Sequence, residues 1–168
     1  MTSRAPNRPR VLVIGLGNPD RGDDAVGIQV AGALEGGLPP GAALAKRTGN
    51  MLGLLEDWTG YDVVICVDAA APMGEPGRVH RVDTERDPLL LAPGLSSSHG
   101  MGLAEALALA RTLGTAPAAI IVYAIEGLSF ELGAPLTPEV AAAVATVVRS
   151  VQAEVGRLVD ETREPAHA

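Results

Sequence analysis

Cysteine is nearly absent from this chain: Cys66 is the only one in 168 residues. That excludes an internal disulfide framework and any cysteine-cluster metal site. Aromatic residues are almost as scarce, with one Trp, two Tyr and one Phe. Positive charge is also in deficit, 13 Lys and Arg against 20 Asp and Glu, for a formal net charge of −7. An acidic chain with so few aromatics lacks both the basic footprint and the stacking platforms of a nucleic-acid binder. Long apolar runs are missing too. The basic start MTSRAPNRPR is followed only by VLVIGLG, too short for a signal-peptide core and cleavage site, and far too short for a membrane span. A soluble cytoplasmic protein, with no nucleic-acid or membrane partner, is expected.

The hydrophobic share is 47% and the charged share 20%, a globular composition in a chain long enough to bury a core made of Val, Leu, Ile and Ala. Residues 1–9 read as a flexible tail, 10–160 as a single domain and 161–168 as a fraying end. VLVIGL (11–16), DVVICVD (62–68) and AIIVYAI (119–125) are apolar runs that suit strands buried on both faces. AALAKR (42–47) reads as a short strand and GRVHRV (77–82) as an edge strand. Helical spacing covers 25–34, 51–58 and 102–114, while 83–98 is loop-like. The last helix opens on Thr137 as cap and Pro138 at its first position. It carries an apolar stripe at Val140, Val144, Val147, Val151, Val155 and Leu158. Strands alternating with helices predict an α/β fold: a mostly parallel, twisted sheet with helices on both faces. Ligands of such sheets bind beyond the carboxyl ends of the strands.

Two such ends carry notable polar residues. After the first strand comes GLGNPDRGDDAVG (15–27). Its opening resembles a dinucleotide loop, but the third glycine, Gly22, is two residues late, and Asp23 and Asp24 would face the phosphates. No Gly-Lys-Ser/Thr follows, so a P-loop is excluded as well. Acids in a first helical turn favour the helix dipole by about 0.3–1 kcal/mol, which accounts for one of the pair better than for both. An ionised carboxylate here is also a hard ligand for a divalent cation. Asp68 ends the second strong strand, before AAAPMGEPG, which offers no helix for it to cap.

His99 lies in SSSHGMGLAEAL, where Ser97 or Ser98 can cap the following helix. A helix N-terminus disfavours imidazolium, so a neutral, metal-competent His99 is expected. His80, in a charged edge strand, and His167, in the tail, read as solvated residues. Ser96, Ser97 and Ser98 are too close to His99 for a nucleophile elbow, and Gly-x-Ser-x-Gly is absent from the sequence. Cys66 lies within an apolar run and reads as an inert core thiol. Asp24, Asp68 and His99 together would offer two oxygens and one nitrogen with open positions, a donor set for a transition metal such as nickel or zinc.

The segments VLVIGLGNPDRGDDAVG, DVVICVDAA and SSHGMGLAEAL, in this order, resemble the hydrogenase maturation endopeptidases. These proteases trim the C-terminus of the nickel–iron hydrogenase large subunit. The segment AIEGLSFELGAPLTPEVAAAV resembles the region before that family's final helix. The resemblance spans about residues 10 to 155. It implies removal of the C-terminal extension of a large-subunit precursor after nickel insertion. It also implies that Asp24, Asp68 and His99 form the catalytic and nickel-holding set. The nickel would belong to the precursor, with no organic cofactor, and a monomer is expected. Gly17, Asn18 and Asp23 are expected in a substrate loop, with Asn18 and neighbouring amides positioning substrate or an oxyanion. Two positions depart from the family. Asp24 stands where many members carry Glu, and AKRTGN (45–50) replaces an Asp-Gly-Gly-Thr-like loop, with Lys46 about where the acid would be. A non-proteolytic, nickel-binding or chaperone-like paralogue, and a nucleotide-binding α/β domain, are the rival readings.

Overall fold

The computed structural model describes residues 8–86 and 102–160. The elements in chain order are β1 (Val11–Leu16), a 3-10 turn (Gly22–Ala25), α1 (Val26–Leu34), β2 (Ala42–Arg47), a second 3-10 turn (Met51–Gly53) running into α2 (Leu54–Asp57), β3 (Val63–Ala70), β4 (Val79–Asp83), α3 (Leu103–Leu113), β5 (Ala119–Glu126) and α4 (Pro138–Asp160). The strands form one sheet in the order β2-β1-β3-β5-β4. All neighbours are parallel except β4, which runs antiparallel to β5. That is the mostly parallel α/β sheet expected from the alternation of strands and helices.

Alternate residues of the central strands feed two cores. Val11 and Val13 of β1, Ile65 and Val67 of β3, and Ile121 and Ile125 of β5 pack with α1 and α4. Leu12, Ile14, Val64, Cys66, Ile120 and Val122 point the other way, against Leu54, Trp58 and α3. Each such Val, Leu or Ile contributes roughly 1.5–3 kcal/mol by leaving water, which is why runs without polar alternation become interior strands. The stripe on α4 behaves as its spacing predicts: Val140, Val147, Val151 and Val155 are fully buried.

Helix α1 lies unusually close to the sheet. A Cβ on Gly27 would stand 2.3 Å from the carbonyl oxygens of both Leu16 and Val67. A Cβ on Gly15 would stand 2.2 Å from the Gly27 carbonyl oxygen. The two glycines therefore set helix against strand with no side chain between them. On the same face Glu154 of α4 is buried and accepts from the Arg81 guanidinium and the Tyr123 hydroxyl. Burial would raise its pKa, but these partners outweigh burial and hold it below the usual carboxylate range.

Several boundaries move. The first helix opens as a 3-10 turn that takes in Asp23 and Asp24. β3 runs two residues beyond Asp68, because β5 pairs with it as far as Ala70↔Glu126. Asp68 is thus inside the strand rather than at its end. His80 is not solvated: it is partly buried on β4, and its Nε2 is buried with no hydrogen-bond partner among the described residues. Most of the two expected tails, and most of the loop over 83–98, fall outside the described residues.

Candidate functional site

β1 stops at Leu16, and the chain must turn sharply at the carboxyl edge of the sheet. Gly17 takes φ +137°, and a Cβ there would stand 1.9 Å from the Asp24 carbonyl oxygen. No other residue type fits. The turn is closed from within: Asn18 N–H donates to Asp24 Oδ2 at 3.0 Å, Asp20 N–H donates to Asn18 Oδ1 at 2.9 Å, and Asp24 N–H donates to the Arg21 carbonyl at 3.0 Å. The Asn18 backbone N–H is thus used within the turn, where it fixes the Asp24 carboxylate.

Asp23 and Asp24, adjacent in the 3-10 turn, serve different ends. Asp23 is fully buried. Its carboxylate accepts the backbone amides of Leu128 (2.8 Å), Ser129 (3.0 Å) and Thr137 (2.7 Å), and the Thr137 hydroxyl. Burial by itself raises its pKa, but these hydrogen bonds together hold it below the usual value. With every donor on it coming from the protein, Asp23 ties the turn to the 127–137 loop and shapes both.

Asp24 lies only partly buried at the sheet edge. Asp68 approaches from β3, on the face of the sheet occupied by Val64 and Cys66. Burial first, and then the negative charge of Asp24, push the Asp68 carboxyl up to about 7; the Ala69 amide, donating to Oδ1 at 2.8 Å, opposes them. The fold thus brings two of the sequence-predicted ligands into electrostatic contact. His99, and the serines before it, lie outside the described residues. Among the described residues no group of three His, Cys, Asp or Glu side chains gathers for a metal. Helix α3 begins at Leu103 with Gly102 as its cap residue, whose amide donates to Glu105 at 3.0 Å. The cap expected at Ser97 or Ser98 is therefore not the cap of this helix, and His99 stands four positions before its first residue.

Cys66 is fully buried, and burial, followed by the charge of Asp68, pushes its thiol well up from its ordinary value. It is a core thiol, as its apolar neighbours predict. Lys46 pairs with Glu35 at 2.6 Å, and Leu44, two residues earlier on its strand, packs on the α1 side of the sheet. Lys46 is thus directed away from the face that carries Asp68. Arg47, on the other face, holds Asp57 at 2.7 Å through two nitrogens.

One positioning residue escaped the sequence reading. Glu126, at the end of β5, is buried and accepts the amides of Met73 (2.6 Å) and Glu75 (2.7 Å). It clasps the loop that follows β3. The signal was the same as for Asp68: an acid closing an apolar run, here AIIVYAIE.

Comparison with known proteins gives a concordant set. A family model described as hydrogenase maturation protease matches residues 48–154, a span that includes Asp68 and His99. The hydrogenase 2 maturation protease of Escherichia coli (strain K12) is 30% identical over 147 residues, covering 86% of this chain and 89% of the relative. The hydrogenase expression/formation protein HupD of Thiocapsa roseopersicina is 27% identical over 135 residues, 79% of this chain. That match spans 61% of the relative's length. Among solved structures, the hydrogenase maturating endopeptidase HybD from E. coli superposes with a TM-score of 0.76 at 29% identity, covering 88% of this chain and 93% of the other.

Proposed function

The chain belongs to the hydrogenase maturation protease family, and we propose that it is an endopeptidase acting on the large-subunit precursor of a nickel–iron hydrogenase. It removes the precursor's C-terminal extension once nickel has been inserted. The observation that carries this reading is the placement of Asp24 on the turn after β1 and of Asp68 on the neighbouring strand β3, where burial and the charge of Asp24 push the Asp68 carboxyl up to about 7.

Two like charges that feel one another are unfavourable without a cation, and a divalent ion bound by both would relieve the repulsion. The nickel is the precursor's own, and Asp24, Asp68 and His99 grip it. A set of two carboxylates and one imidazole, without thiolate, holds nickel loosely enough to release it with the product. Nickel held by these residues would supply Lewis-acid chemistry toward the scissile carbonyl or a water. The chain's own part is to present Asp24 on a turn locked by Gly17 and Asn18, and to hold Asp68 on β3 within reach of its charge. The protein works as a cytoplasmic monomer; both edge strands carry charged residues, Lys46 on β2 and Arg81 on β4, that discourage edge pairing. The non-proteolytic alternative rested on Lys46, which is engaged with Glu35 on the other face.

The test is processing of nickel-loaded precursor, read as a mass shift of the large subunit. Asp24→Ala, Asp68→Ala and His99→Ala each abolish it while the fold survives, and metal-free precursor stays intact. Efficient cutting of metal-free precursor would overturn the reading.

A further inference from the structure

The loop from Gly127 to Thr137 is welded to the turn that carries Asp24. Asp23 takes three of its amides and one hydroxyl. The Asp23 and Gly22 amides donate back to the carbonyls of Ser129 (2.9 Å) and Ala134 (3.2 Å), Gly133 N–H donates to the Asp20 carbonyl at 2.7 Å, and Arg21 bridges Leu132 in antiparallel fashion. Gly127 N–H reaches Ala70 at the end of β3, 2.9 Å away. This is a rigid lip beside the carboxylate pair.

Its side chains are sorted unusually. Phe130 folds inward, its ring where a Cβ on Gly127 would be, at 2.5 Å. Leu128 and Leu132 face outward, 52% and 73% exposed, and Leu132 is the most exposed large apolar residue described. Met73, on the neighbouring loop clasped by Glu126, is 52% exposed. Single exposed leucines are ordinary. Two on one stiff lip, next to a reactive site, lose little entropy when a partner covers them. The lip is acidic as well: besides the buried Asp23, residues 18–24 and 127–137 carry Asp20, Asp24 and Glu131 against the single cation Arg21.

We propose that this lip is the docking surface for the precursor, and that its occupant is a stretch of the precursor with apolar side chains flanked by Lys or Arg. The proposal rests on the function argued above and deepens it. Apolar anchors seat against Leu128 and Leu132, and the basic residues meet Asp20 and Glu131. Because the lip and Asp24 share one hydrogen-bonded turn, whatever it seats is presented to Asp24 in a fixed register.

The test uses the intact protein and the nickel-loaded precursor from the same organism. Leu128→Ser/Leu132→Ser, checked by circular dichroism for an unchanged melt, raises KM about tenfold with kcat within about twofold. Asp20→Lys/Glu131→Lys does the same and abolishes the rise of wild-type KM with salt. Unchanged KM in both double variants, with the wild type still processing, overturns the docking surface and leaves the proteolytic function standing. If the wild type cuts nothing, the function fails. Direct binding of precursor then decides the lip: weaker capture by the leucine variant supports it, and equal capture overturns it. A wild-type dimer in sedimentation that the leucine variant dissolves, at unchanged KM, overturns it in favour of a second copy of this chain.

Discussion

Thr137 gives both its backbone N–H and its hydroxyl to the carboxylate of Asp23, 114 positions earlier in the chain. With the amides of Leu128 and Ser129 the same carboxylate satisfies four donors in a water-free setting. Asp23→Ala strands three part-buried amides and is expected to cost about 2–3 kcal/mol. Asp23→Asn, which turns an NH2 group toward donors, costs about 2 kcal/mol. Urea denaturation checks both. The pKa of Asp23 is lowered from 3.8, so its stabilisation is present above that value and is lost as pH falls through the lower folded-state value.

Asp68 works in the opposite sense. Its folded-state value of about 7 lies above the ordinary 3.8. Stability linked to it is complete below 3.8 and is lost as pH rises through 7. Asp68→Asn, neutral throughout, is therefore expected to melt roughly 4–8 °C above the metal-free wild type at pH 8. It should have no such advantage near pH 4. A constant difference across that range would remove the charge repulsion from the account of the site.

Nickel itself should reverse that penalty. At free Ni2+ about 100-fold above its Kd, binding to the folded state adds about 2.7 kcal/mol. A thermal-shift titration at pH 8 reads it as a Tm rise of roughly 5–10 °C. Asp24→Ala and His99→Ala should flatten the response. A full response in either variant would strike that residue from the metal set.

Gly17 offers a test of geometry rather than charge. In Gly17→Ala the new methyl meets a backbone oxygen at 1.9 Å, at φ +137°, and no rotamer relieves it. The turn must shift and carry Asp24 with it. Processing kcat/KM is expected to fall at least about tenfold, because misplacing a reacting group by an ångström is costly. Gly36→Ala, where a Cβ would meet nothing within 4 Å but φ is also positive, controls for backbone strain alone and should leave kcat/KM unchanged.

The parts of this molecule legible in its sequence are those set by local signals. β1 and β2 fall where their apolar runs stop, and α4 starts at Pro138 after Thr137. Asp24 and Asp68 stood out because an acid against an apolar strand is conspicuous at any distance. What stayed hidden depends on contacts far apart in sequence. Nothing near Asp23 announces that its partners lie beyond residue 127. The end of β3 is set by β5 rather than by its own residues, so Asp68 looked terminal. His80 reads as a surface residue until the antiparallel direction of β4 brings it beside Ala124.

The strand order also governs the sequence of events during synthesis. β1, β2 and β3 can pair as soon as they leave the ribosome, but β4 has only β5 to pair with, and β5 follows it in the chain. Until residues 119–126 emerge, the nascent sheet ends at β3, and the strand bearing Asp68 is an open edge. The sheet edge that carries Asp68 is therefore among the last parts of the protein to close, and a chain released early, before β5, has neither a sealed edge nor the 127–137 loop that braces the Asp23–Asp24 turn.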